Sequence, residues 1–240
     1  MLAVGAIACC ATAQEAKKAS DAGLVGWWKF DDGQGDVAKD ASGNGHDGKV
    51  MAGQWVKGRF GTALRFDGER SLVVIPHLGE VDGSDEMTVE TWVFWEGMGC
   101  YPNILTAGEW NPGGFLVFVR NDSCSFRMGK PGKEAWTLRK DWQEVGSTFV
   151  KSFELGKWYH LAATFKRPAI ATYVNGKSVG SASWNFPVGQ TGALQVGKWG
   201  LDQGKTQSHC GLIDELKIYK RALTADEVKA SFDLEAAKRK

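Results

Sequence analysis

The sequence predicts an all-β chain, a two-sheet antiparallel β-sandwich closed by one short C-terminal helix. Three observations predict it. Turn signals rich in Gly and Asp recur at short intervals, at Asp32-Gly33-Gln34-Gly35, Ser42-Gly43-Asn44-Gly45, Asp67-Gly68, Gly113-Gly114 and Asn175-Gly176, and short strands between regular turns build sandwiches or barrels. The stretches between the turns are rich in β-branched and aromatic residues, which fit a pleated surface. Only one stretch, close to the C-terminus, carries a convincing helix start.

Taken in order, residues 1–13 are small and apolar and end in Ala11-Thr12-Ala13 before polar Gln14. That run is too short to span a bilayer and reads as the apolar region and cleavage site of a secretory signal, without its usual basic start. The alternatives are a frayed cytosolic N-terminus and, after it, a lipoprotein leader with Cys9 acylated after Ala6-Ile7-Ala8. A polar linker, 14–23, leads into a first strand, Leu24-Val25-Gly26-Trp27-Trp28-Lys29-Phe30-Asp31. Met87 to Trp95 reads as a longer strand with neither face purely polar. Trp158 to Phe165 alternates, placing Tyr159, Leu161, Ala163 and Phe165 on one face that should line the core. Trp28 and Trp158 both read as core residues.

Between Ile170 and Gly180, Asn175-Gly176 separates two strand-like runs and supplies the two positive-φ residues of a type I′ hairpin. Gly211 to Tyr219 is the last strand. Thr224-Ala225-Asp226-Glu227 is a capping box, in which the Thr hydroxyl and the Glu carboxylate satisfy the first free amides of a helix through about Leu234. The sandwich thus occupies 24–235, with a basic tail at 236–240. A length of 240 residues suits one large all-β domain.

Composition narrows the function classes. With 29 Lys plus Arg against 28 Asp plus Glu the formal net charge is +1, which gives no electrostatic case for nucleic acid. The 11 Trp residues suit core packing and sugar stacking, which composition alone does not separate, and they exceed what one site can use, so packing is the commoner role for any one of them. Of the Cys residues, Cys100, Cys124 and Cys210 lie outside the leader. They allow one disulfide plus a free thiol, with Cys100 to Cys124 the shorter loop, or three reduced thiols. No Cys/His cluster has zinc spacing.

Six blocks in order resemble the laminin-G-like jelly-roll family of the concanavalin A-like lectin and glucanase superfamily. They are Leu24 to Asp31; Asp40-Ala41-Ser42-Gly43-Asn44-Gly45-His46-Asp47-Gly48; Gly61-Thr62-Ala63-Leu64-Arg65-Phe66-Asp67-Gly68; Met87 to Val93; Trp158 to Phe165 with the Tyr173-Val174-Asn175-Gly176 hairpin; and Gly211 to Tyr219 with Arg221-Ala222-Leu223-Thr224. The likeness runs from Leu24 to Phe232, and the stretch from Gly97 to Phe153 departs most from it.

The superfamily includes glycoside hydrolases, which need two carboxylates about 5 to 9.5 Å apart. Glu90 and Glu96 share a strand face, but six residues at roughly 3.3 Å each put them about 20 Å apart. There is no G-x-S-x-G motif, and His46, His77, His160 and His209 show no paired metal spacing. His160 reads as a packed structural residue.

The resemblance implies a structural calcium ion near the junction of the first and last strands, with Asp31, Asn44, Asp47 and Asp214 as its ligands. A hard cation takes six to eight oxygens from such acidic, Gly-rich loops. Turn formation alone also accounts for Asn44 and Asp47, whereas a carboxylate between Ile213 and Leu216 needs a partner if buried. The resemblance also implies a glycan site of aromatic platforms beside amides. Its candidates are Tyr101, Trp110, Asn111, Asn121 and Trp142, from a wider pool with Trp136, Trp199, Asn103 and Asp122.

The expectation is an exported, non-catalytic, lectin-like module, secreted, periplasmic or on the cell surface. It would bind a polysaccharide or glycan and be stabilised by calcium, with no transmembrane segment in the mature chain. The alternatives are a structural or adhesion domain that binds a protein partner and, after it, a polysaccharide-active hydrolase.

Overall fold

A computed structural model describes residues 21–97, 102–107, 113–120, 123–131, 144–150, 154–189, 191–199 and 208–237. They form the expected sandwich of two antiparallel sheets. One sheet contains β4 (Gln54–Lys57), β5 (Thr62–Asp67), β7 (Glu86–Gly97), β12 (Trp158–Lys166), β13 (Ala169–Val174), β14 (Lys177–Ser183) and β16 (Cys210–Tyr219) in the order β14-β13-β12-β7-β16-β5-β4, with β1 (Leu24–Trp28) also paired to β16. The other runs β11-β10-β9-β8-β15-β6-β3-β2, from β2 (Val37–Ala38), β3 (Gly48–Met51), β6 (Leu72–Ile75), β8 (Asn103–Ala107), β9 (Phe115–Arg120), β10 (Ser123–Gly129), β11 (Glu144–Val150) and β15 (Leu194–Val196). β16 joins the chain's two ends at the centre of the first sheet, between β7, β5 and β1.

The core lies between the sheets and is built from the alternation the sequence shows. Leu161, Ala163 and Phe165 of β12 meet Val89, Val93 and Trp95 of β7, Phe66, Ile213 and Ile218, with Tyr159 packed at its margin. Trp28 is fully buried, and its indole N–H is satisfied by the His46 carbonyl at 2.8 Å. β1 is shorter than expected because Phe30 takes a left-handed φ of 55°, turning the chain while its ring stays in the core.

Trp158 corrects the sequence reading. It belongs to the opposite phase of β12 from Tyr159, Leu161, Ala163 and Phe165, so it stands on the outer face of the sheet, partly exposed. Alternation assigns this once Tyr159 is placed inward.

The hairpin is as predicted. Asn175 and Gly176 have φ of 50° and 74°, both in the region a type I′ turn requires. The capping box also forms, with the Thr224 amide donating to Glu227 Oε2 at 2.8 Å and the Glu227 amide to Thr224 Oγ1 at 3.2 Å. The helix α1 (Ala225–Ala237) extends beyond Leu234. Its Val228 joins Ala162, Tyr173, Tyr219 and Leu223 in a second, smaller apolar cluster on the outer face of the first sheet. Cys124 and Cys210 both carry free thiols, and burial raises the Cys124 thiol far above its ordinary range. The structure therefore does not take the Cys100 to Cys124 bridge, and Cys100 itself lies outside the described residues.

Candidate functional site

Cross-strand pairing assembles the site. Asp214 of β16 faces Trp92 of β7, Trp92 faces His160 of β12, and Asn175 follows the end of β13 beside His160, so the four form one row across the outer face. The neighbouring row is Leu212, Phe94 and Trp158. Directly paired residues point to the same face, so two carboxylate-to-amide and apolar-to-aromatic rows lie side by side under the loop between β4 and β5.

That loop is tied down by two carboxylates. Asp214 Oδ2 accepts the amides of Arg59 at 2.9 Å and Phe60 at 3.1 Å, and Asp31 Oδ1 accepts the amide of Thr62 at 2.9 Å. The loop's glycines allow the approach. A Cβ on Gly61, whose φ is 47°, would stand 2.1 Å from Asp31 Oδ1, and one on Gly58 would stand 2.7 Å from Asp214 Oδ2. Asp214 is fully buried, and its Oδ1 has no hydrogen-bond partner among the described residues. Burial pushes its carboxyl up to about 8; the amides of Phe60 and Arg59 pull the other way, while the charges of Glu215 and Asp31 add to the rise.

Asn44 and Asp47 belong to a different loop, at the far end of β1. Asn44 Nδ2 donates to the carbonyls of Leu24 and Val25 at 3.0 and 2.9 Å, and Asp47 accepts from the Asp40 amide at 2.9 Å and from Lys39 Nζ at 2.6 Å. The centre of that loop is Asp40, which the sequence reading passed over. It accepts the amides of Trp27, Ser42 and His46 at 2.9 to 3.0 Å. Burial alone would raise the Asp40 carboxyl, but the Ser42 side chain and these amides outweigh it and hold it below the usual range. Of the four expected ligands, Asp31 and Asp214 therefore hold the same loop and the other two close a turn. Among the described residues no group of three or more His, Cys, Asp or Glu is arranged to hold a metal. Calcium would thus draw on backbone carbonyls beside the two carboxylates, as hard cations do, and the orphaned buried Oδ1 fits that use.

Above the two rows lies a cleft of about 330 Å³ lined by Arg59, Trp92, Gly156, Lys157, Trp158, Asn175 and Phe232. This is at the small end of ligand sites, which run to roughly 300–1,000 Å³. Its floor is aromatic: Trp92 stacks on Phe232 of α1 with centroids 5.7 Å apart, and Trp158 leans on Phe94 at 5.4 Å. The Arg59 guanidinium lies over Trp92 at 4.6 Å and Phe60 at 5.6 Å. Beneath the floor His160 and Glu90, both buried, approach to 3.7 Å, and Ser231 of α1 donates to Glu90 at 3.3 Å. His160 is a packed residue, as expected, and is not among the residues that line the cleft.

The family profile Laminin_G_3, of the concanavalin A-like lectin/glucanase superfamily, matches residues 67–229. The chain belongs to this family. Among solved structures, this laminin-G domain is similar to the binding domain of Paraclostridial Mosquitocidal Protein 1, with a TM-score of 0.71 and 18% identity over 90% of this chain and 53% of that one. It is also similar to domain 4 of AbnA, an extracellular arabinanase from Geobacillus stearothermophilus solved with arabinotriose, with a TM-score of 0.67 and 20% identity over 86% and 97% of the two chains. A third is the binding domain of Botulinum Neurotoxin DC, solved with SialylT, with a TM-score of 0.68 and 11% identity over 90% and 52%. The chain spans about half the length of the two toxin domains. At these identities the likeness shows the fold. No curated protein matches the chain.

The expected glycan residues Tyr101, Trp110, Asn111, Asn121 and Trp142 all lie outside the described residues, as do Trp136 and Asp122. Asn103 is buried in β8 beside Thr106, and Trp199 is partly buried. Arg59, Trp92, Trp158, Asn175 and Phe232 were not among the candidates. Only the outward phase of Trp158 signalled any of them.

Proposed function

We propose that this chain is an exported, non-catalytic carbohydrate-binding module of the laminin-G type, with its site in the Arg59–Trp158 cleft. The observation that carries the proposal is the cleft itself, an aromatic floor rimmed by a guanidinium, an ammonium and an amide. Indole and phenyl faces cover the C–H face of a sugar ring, and such donors fix its oxygens. The arabinotriose and SialylT in the similar structures agree with this class of ligand, and the extracellular arabinanase agrees with export. Among the described residues no helix is long and apolar enough to cross a membrane. Buried Glu90 accepts from Ser231 at 3.3 Å and lies 3.7 Å from His160, and Glu96 accepts from Arg65 at 2.7 Å, uses that suit structural carboxylates rather than an acid–base pair.

Calcium completes the proposal, with Asp31 and Asp214 as its side-chain ligands. It would neutralise two neighbouring carboxylates. Those carboxylates hold the amides of Arg59, Phe60 and Thr62, so they set the position of Arg59 in the cleft.

Pull-down on insoluble polysaccharides and a glycan array test the binding. Wild type should be retained by a glycan and Trp158→Ala should not, with its thermal transition little changed. Loss of retention in Trp110→Ala with retention kept in Trp158→Ala would move the site to the loops. Failure to bind any sugar, together with capture of a protein partner, would replace the lectin reading by the adhesion one.

A further inference from the structure

The polar groups that line the cleft are donors. Arg59 and Lys157 bring two positive charges, and among the described residues no Asp or Glu lines the wall. The Asn175 amide oxygen accepts the His160 backbone N–H at 2.9 Å, which leaves its NH₂ to donate. A neutral sugar presents hydroxyls that both donate and accept, so a site fitted to it mixes amides with carboxylates. A wall of donors carrying positive charge fits a ligand group that only accepts, and an ionised carboxylate is such a group.

Arg59 is prepared for that role. Its guanidinium lies over the Trp92 and Phe60 rings, and the Asp214 bonds to the Arg59 and Phe60 amides fix its backbone. A guanidinium has five donors in a planar fork, enough to grip a carboxylate while keeping its contacts to protein. Lys157 stands at the mouth, largely exposed, in an ion pair with Glu154. Exposed pairs of this kind contribute little, so a ligand carboxylate replaces Glu154 at small cost.

Resting on the glycan-binding proposal, we infer that the cleft selects an acidic sugar, a pyranose bearing a carboxylate. Arg59 and Lys157 take the carboxylate and Trp158 takes the ring. The two common sources of this chemistry are uronic acid polymers and sialylated glycans. Each has a neutral counterpart of otherwise matching structure.

The experiment titrates the full chain by calorimetry with polygalacturonate and its carboxyl-reduced form, and with sialyllactose and lactose. In one pair the acidic member should bind roughly tenfold tighter or more, the scale of a charge-assisted hydrogen bond. Lys157→Ala should cut that preference several-fold, and Arg59→Gln should remove it. The pair that shows the preference identifies the source. Lys157 is exposed, so its variant keeps the test valid if Arg59→Gln melts early. Equal binding of acidic and neutral members, both abolished by Trp158→Ala, would overturn the inference and leave the glycan-binding proposal standing. A preference for acid that neither cation variant changes would overturn it too. Absence of binding to all four probes would overturn the inference, and the glycan-binding proposal would fall with it only if the glycan array and the insoluble polysaccharides also retained nothing.

Discussion

In calcium-free protein the buried carboxyl of Asp214 should make stability fall as pH rises. Burial raises this group from 3.8 to about 8, so the folded chain keeps a proton that the unfolded chain releases above pH 4. The contribution is fully present below pH 4 and is lost as pH climbs through 8. At about 1.4 kcal/mol for each pH unit the ceiling is about 6 kcal/mol, which relaxation of the Arg59–Thr62 loop will reduce. For a chain of this size about 1 kcal/mol moves the melting temperature by roughly 2–4 °C, so a drop of a few degrees per pH unit is expected between pH 5 and 8. Asp214→Asn keeps an acceptor for the Arg59 and Phe60 amides and removes the charge. The assay is thermal melting from pH 4.5 to 8.5 in chelator, scored as wild type minus variant so that other titrating groups cancel. Wild type should lose stability relative to Asp214→Asn as pH rises, and calcium should restore it at pH 8 in wild type only. A flat difference across the range would refute the burial argument. A calcium response of equal size in Asp214→Asn would refute the assignment of Asp214 as a ligand.

Two further substitutions probe the frame around the site. Asp67 accepts the amides of Glu69, Arg70 and Ser71 at 2.8 to 3.0 Å; burial pushes its carboxyl up, and these bonds outweigh that and lower it to about 2. Its contribution is present above pH 4 and lost as pH falls through 2. With its side chain 39% exposed, solvent screening brings an unscreened value of about 2 kcal/mol down to about 1 kcal/mol for Asp67→Asn, measured by urea unfolding at pH 7; an unchanged midpoint would argue against it. Gly176→Ala must hold a methyl at φ 74°, 3.2 Å from the Phe232 ring, and should cost about 1–2 kcal/mol. Because Phe232 lines the cleft, glycan retention should weaken with it, and a variant as stable as wild type would show that the hairpin tip yields freely.

The frame was legible where one short stretch of chain holds the whole signal. The Asn175-Gly176 turn, the Thr224–Glu227 box and the alternation of β12 each depend on neighbours within a few residues, so local sequence decides them. The cleft draws on the β4–β5 loop, β7, the start of β12, the β13–β14 turn and α1, and no stretch of chain contains more than three of its residues. Trp92 alone looks like core, Asn175 like a turn and Arg59 like surface.

The last strand shows how much was present in the sequence and not used. Ile213, Leu216 and Ile218 all face the core, yet strict alternation from Ile213 would send Glu215 and Lys217 inward. A spacing of three between Ile213 and Leu216 therefore requires one extra residue, a bulge. The structure has it: β16 advances from Asp214 to Lys217 while β7 advances from Trp92 to Glu90, and Glu215 takes φ 51°. Such bulges re-aim side chains at sites. Here the bulge leaves Asp214 on the outer face opposite Trp92 and lets Glu215 accept the Trp27 indole N–H at 2.5 Å. Asp214 lies buried on the outer face because the Arg59–Thr62 loop covers it, so the burial that raises its carboxyl and the placing of Arg59 over the cleft have one cause. A change at Asp214 should therefore move ligand binding and stability together, whereas Lys157, exposed at the mouth, should move binding alone.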